Sequence, residues 1–228
     1  MISRDKDLII VQHRPGFPLY QDAGDSSCRS GLMAMCDSSI DKDLLPLFYL
    51  QKVNKLVRHP YQYPYYLPNN FSRDQLLPMI AGLSTAGYHE IVRNIFFDHA
   101  KRYFLCQNDE SYLYPGKKKI LPDGRDILAP DHIWHLIVCG RIWYLYWFGL
   151  IGYPWQMLSI LWSAFVMPEN EQNQLFCMVN SSGLLKLYIK IYGLENFKKN
   201  MYDYFGGWRD QKEIAYFVCA YVEGKLNG

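Results

Sequence analysis

A charge excess of either sign is missing from this chain. Its 24 Lys and Arg stand against 22 Asp and Glu, a formal net charge of +2. Nothing in that balance points to nucleic acid. The densest basic run, Lys117-Lys118-Lys119, follows Gly116 in a turn-like stretch and reads as a solvated loop. Cysteines are few and scattered, at positions 28, 36, 106, 139, 177 and 219, with no CxxC pair. That excludes a thioredoxin-type redox pair and a zinc ribbon. Thiols on apolar helical patterns fit a reducing compartment.

Familiar catalytic signatures are absent too. There is no G-x-x-x-x-G-K-[ST] loop, no G-x-S-x-G elbow, no H-E-x-x-H and no dinucleotide fingerprint. Phosphate-loop NTPases, elbow-type serine hydrolases and zincins are set aside, and no cofactor is implied. Asp131, His132 and His135 share a helix pattern, but no further ligand stands at motif spacing, so no metal is assigned. Cys28 lacks an assigned His partner for nucleophilic work. Met1 to Asp7 is polar and the apolar stretch behind it is four residues long, which does not read as a secretory signal. The expected setting is the cytoplasm, or a phage particle assembled there.

What the chain has is apolar and aromatic mass. Half of its 228 residues are hydrophobic, with 19 Tyr and 6 Trp. Such a chain buries a sizeable core. Residues 142–167 run for 26 positions without a charge, long enough to span a bilayer. Gly149, Gly152 and Pro154 divide that run, so two buried helices joined by a tight turn are preferred to a membrane span.

The periodicity predicts a single all-α domain over 1–228, with 1–24 as an irregular lead-in. Antiparallel helical hairpins are expected, extending at the limit to an α/α-toroid. Helices are expected at 26–36, 44–58, 72–86, 88–104, 130–148, 154–166, 169–192, 195–205 and 210–222, with Gly183 as a break in the seventh. Pro78 predicts a kink, and Gly87 a helix stop. No strand hairpin is expected, and 106–130 reads as a long loop.

Two acid–arginine motifs fall on helix starts. Asp25-Ser26-Ser27-Cys28-Arg29 opens the first helix, with Asp25 as its cap. Ser72-Arg73-Asp74-Gln75 fits a capping box, in which Ser72 and Gln75 satisfy each other's amides. Between them lies Arg58-His59-Pro60 and then a loop with Tyr61, Tyr63 and Tyr65. An arginine is electrostatically misplaced at the positive end of a helix, so Arg29 and Arg73 call for specific partners. Those partners are the neighbouring aspartates or an anionic ligand, and both readings stand.

The same residues carry a resemblance. Gly24-Asp25-Ser26-Ser27-Cys28-Arg29-Ser30-Gly31, Arg58-His59-Pro60 and Ser72-Arg73-Asp74-Gln75 resemble a family of phage and bacterial proteins. That family shares G-D-[ST]-x-x-R-x-G and S-R-D-Q stretches, has no assigned activity, and is matched over about residues 24–104. The resemblance implies relatedness and no mechanism. An acid and an arginine at helix starts is also similar to what α/α-toroid carbohydrate-active enzymes use, an analogy of fold.

The expectation is a carbohydrate-directed protein, sharpened to a polysaccharide hydrolase or lyase. Asp25, Asp74 and His59 would be its acid/base groups, and Arg29, Arg73, Tyr61, Tyr63 and Tyr65 would hold the sugar. The rivals are a non-catalytic virion or host-interaction protein, with a protein partner, and a membrane-associated protein built on 142–167.

Overall fold

The structure, a computed structural model, describes residues 2–5, 8–11, 26–37, 41–61, 65–66, 68, 71–107, 125–165, 182–206 and 212–227. It is mostly helical, as expected. The helices are α1 (Ser26–Cys36), α2 (Arg73–Thr85), α3 (His89–Lys101), α4 (Pro130–Cys139), α5 (Gly149–Phe165), α6 (Ser182–Tyr192), α7 (Leu194–Gly206) and α8 (Lys212–Asn227). Three short antiparallel strand pairs correct the expectation of no hairpins: β1 (Ile2–Asp5) with β2 (Leu8–Val11), β3 (Tyr49–Leu50) with β4 (Lys55–Leu56), and β5 (Leu105–Gln107) with β6 (Arg125–Ile127). The first pair also corrects the irregular lead-in, and the third trims the ends of the expected 106–130 loop.

The expected helix at 44–58 does not form. A 3-10 helix takes Lys42–Phe48, and the chain then turns into β3 and β4. Pro46 has no amide to give an α-helical ladder. Asn54, at φ 54°, supplies the left-handed residue that reverses the strands. Asp41, not Asp43, caps the 3-10 helix by accepting the Asp43 amide at 3.1 Å. The expected break at Gly149–Pro154 also moves. α5 runs through Gly152 and Pro154, while the chain breaks at Gly140-Arg141, where Arg141 has φ 51°. A 3-10 helix, Trp143–Phe148, then leads directly into α5. Gly152 serves packing, since a Cβ there would sit 2.4 Å from the Trp134 side chain.

Other boundaries follow the reading closely. α2 ends on Gly87 at φ +90°, with the Tyr88 amide closing on the Leu83 carbonyl at 2.8 Å. This is the six-residue closure that favours glycine. α3 stops at Lys101, short of the expected 104, because Tyr103 and Phe104 adopt φ 54° and 58° and turn the chain into β5. α6 contains Gly183 in its first turn, and the part of the expected helix before Ser182 lies outside the described residues.

The core gathers α1, α2, α4, α7 and α8 around Leu32, Met33, Leu76, Ile80, Leu136, Phe197 and Val218, all 0–1% exposed. Full burial of such side chains contributes about 1.5–3 kcal/mol each. α1 and α2 meet backbone to backbone. A Cβ on Gly31 would fall 2.4 Å from the Pro78 carbonyl oxygen, and one on Gly82 would fall 2.5 Å from the Gly31 carbonyl oxygen. No side chain other than hydrogen fits at this crossing.

Candidate functional site at the starts of α1 and α2

The crossing orients both helices in the same sense. The end of α1 leads into the 42–48 turn, where the Asp43 carboxylate accepts the hydroxyl of Tyr88 at 3.0 Å, just past the end of α2. Both C-terminal ends therefore lie on one side of the Gly31–Gly82 contact, and both starts lie on the other. Segment 55–59 runs between those starts. The Ser27 amide donates to the Arg58 carbonyl at 3.0 Å. Leu56 shares a small pocket with Phe71 and Leu76 of the α2 entry, closed by Lys55, His99 and Arg102. Segment 55–59 thus touches both the first turn of α1 and the entry to α2.

Local hydrogen bonds hold the Arg58-His59 turn. The amides of Arg58 and His59 both donate to the Tyr65 carbonyl, at 3.0 and 3.2 Å. The Tyr61 amide donates to His59 Nδ1 at 3.1 Å, and the two rings meet edge-on at 6.4 Å. Burial pushes the His59 imidazole down to about 4. It is therefore neutral at physiological pH, and its Nδ1 is an acceptor.

Arg29 is 2% exposed, His59 4% and Arg58 9%, while Arg73 is half-buried. Around Arg29, the first two turns of α1 bury Ser26, Ser27 and Ser30 completely, and their hydroxyls find no hydrogen-bond partner among the described residues. Three such hydroxyls on two turns are unusual, because a buried polar group without a partner costs about 1–3 kcal/mol. They stand at the positive end of α1, beside a buried guanidinium. Hydroxyls, amides and an arginine at a helix start are the chemistry that receives an oxyanion or a sugar hydroxyl.

The second motif behaves differently from its reading. Ser72 flanks α2 with extended backbone, but its side chain makes no cap bond, so the capping box does not form as drawn. Gln75 is fully buried. Asp74 is the second residue of α2; its side chain, together with Asp25 and Tyr63, lies outside what the structure describes. Tyr61 and Tyr65 are half-buried beside the turn that His59 organises. Sequence reasoning passed over Ser26, Ser27, Ser30 and Arg58 as site residues. The sequence shows Ser26-Ser27-Cys28-Arg29-Ser30 only as a polar run at a helix start; that α1 buries most of it appears in the fold.

A second polar cluster lies between α4 and α5. Asp131 is buried and accepts the His132 backbone amide at 3.0 Å and the Ser159 hydroxyl at 3.2 Å, with His132 Nδ1 at 3.1 Å. Burial alone would raise the Asp131 carboxyl; the bonds and charge of His132 and the Ser159 hydroxyl outweigh it and hold the carboxyl below its usual value. His135, one turn on, is pushed down to about 3 by complete burial. Among the described residues no group of three or more His, Cys, Asp or Glu side chains is placed to hold a metal ion. Cys139 and Cys219 are buried thiols, pushed up by burial to about 12 and about 11, and so unreactive at neutral pH. No protein-family model, no curated protein and no solved structure matches the chain.

Proposed function

We propose that this chain is a carbohydrate-directed protein whose site receives an anionic sugar, and in its sharper form a polysaccharide hydrolase or lyase. One observation carries the reading. Arg29 is buried at the start of α1 among three serine hydroxyls that no group among the described residues satisfies. A uronate would give those serine hydroxyls their partners and set its carboxylate beside the Arg29 guanidinium. In a lyase, neutralising that carboxylate makes the adjacent C–H acidic. A base then takes the proton, and an acid protonates the departing glycosidic oxygen. Asp25 and Asp74 are the proposed acid and base, and Arg73, His59 and the tyrosine loop with Tyr61, Tyr63 and Tyr65 would line the cleft.

The test compares wild type with Asp74→Asn and Arg29→Lys. Each is assayed for turnover of a polyuronate and of a neutral glucan, with folding followed by circular dichroism. Turnover of the polyuronate alone, lost in a folded Asp74→Asn protein, supports the reading. A wild-type chain that neither turns over nor binds either polymer overturns it.

A second reading is favoured by burial. Arg29, Arg58 and His59 are all below 10% exposed, as in a charged joint that locks helices. This fits a non-catalytic virion or host-interaction protein, in keeping with the phage and bacterial resemblance and with a particle assembled in the cytoplasm. Among the described residues no helix is long and apolar enough to cross a bilayer.

A further inference from the structure

The outer face of α5 and of the 3-10 helix before it is apolar. Trp143, Trp147, Leu150, Trp155, Leu158 and Trp162 are between 48% and 82% exposed. The inner side of α5, at Gly152, Gln156 and Ile160, is buried. This helix is therefore apolar on its solvent side as well, a pattern that belongs to helices with a partner on each side. Aromatic side chains present about 150–250 Å² each when uncovered, so these residues together offer on the order of 800 Å². The largest apolar patch of an ordinary monomer is about 300–600 Å². One side of a standard protein interface covers about 800 Å².

We propose that this face is covered by the same face of a second copy of this chain. Three observations select that occupant. The area is on the order of the ~800 Å² that one partner gives to a stable dimer. Ile151, Trp155, Leu158 and Trp162 recur at steps of four, three and four residues, a stripe along which one helix packs on another. The run 142–167 holds no charge, so a two-fold contact sets no like charges against each other. The missing charge also distinguishes this face from a bilayer-surface helix, which presents lysine and arginine to anionic head groups.

Sedimentation velocity of the full-length chain across a wide concentration range tests this. The expected result is a dimer that reverts to monomer in Leu158→Glu while the circular dichroism spectrum is unchanged. If that variant fails to fold, Trp155→Ser, milder and at an exposed position, replaces it with the same expectation. A wild-type chain that stays monomeric overturns the proposal. Co-sedimentation of that monomer with phosphatidylcholine–phosphatidylglycerol vesicles would give the face to lipid instead. A dimer that persists in the folded variants also overturns it, since the contact then lies elsewhere.

Discussion

The backbone amide of Ser27 donates to the carbonyl of Arg58 at 3.0 Å. This bond joins the first turn of α1 to the turn that carries His59, two segments about thirty residues apart in the chain. It answers one of the donors that a helix start leaves open. It also holds the serine-rich turn against the Arg58-His59 turn, so the geometry of one follows the other.

Serine 30 separates the two readings of the site. Its hydroxyl is buried with no hydrogen-bond partner among the described residues, and it lies inside a helix, where alanine is the better helix former. Ser30→Ala is expected to stabilise the fold by about 0.5–2 kcal/mol, seen as a higher urea midpoint. If the hydroxyls serve a sugar, calorimetry with a polyuronate will show weaker binding in the same, more stable protein. A loss of stability would mean that the hydroxyl is satisfied within the fold.

The α1–α2 crossing has no slack. In Gly31→Ala the new methyl meets the Pro78 carbonyl oxygen at 2.4 Å and the Met79 Cα at 2.5 Å, both backbone atoms. Neither can rotate away, so the helices must separate. The expected cost is about 1–3 kcal/mol or more, measured by chemical denaturation. Gly87→Ala, in open space but at φ +90°, should cost about 1 kcal/mol through backbone strain alone.

Acid should unfold this protein in two stages. Burial holds His59 and His99 near 4 and His135 near 3, so all three are neutral in the fold. The unfolded chain protonates its imidazoles near pH 6.5. Stability is therefore full above about 6.5 and falls as the pH drops from there toward the folded values. Asp131 adds a later loss. Its carboxyl is held low in the fold, so its contribution is present above the ordinary value of about 3.9 and disappears as the pH falls through its folded value. Urea midpoints across this range, with His135→Gln as the comparison, check the first stage.

The parts of this fold that follow local chemistry were legible. α1 begins where the serines replace the lead-in, and α2 ends where Gly87 allows a left-handed residue. The misreadings have tertiary causes. Leu45, Phe48, Val53 and Leu56 recur at helical spacing, but Pro46 denies the ladder an amide and Asn54 turns the chain back into strands. Gly149 and Gly152 resembled a turn because no sequence reveals that Trp134 packs on them. At the site, the Arg58-His59 turn lies against the first turn of α1, while Asp25, Tyr63 and the Asp74 side chain lie outside the described residues. The capping box at Ser72 was inferred from spacing alone, and the side chain makes no such bond. The buried serines were overlooked because a hydroxyl's lack of a partner exists only in the folded chain.

The glycine crossing has an evolutionary consequence. Where side chains separate two helices, drift in their sizes moves the helices and whatever they carry. Here Gly31 and Gly82 put main chain on main chain, so the spacing between the two helix starts is fixed by atoms that every sequence shares. The surrounding core, from Leu32 to Ile80, is free to diverge without changing how closely the two backbones approach. Relatives of this protein should keep the two glycines longer than they keep any one of the large side chains packed around them.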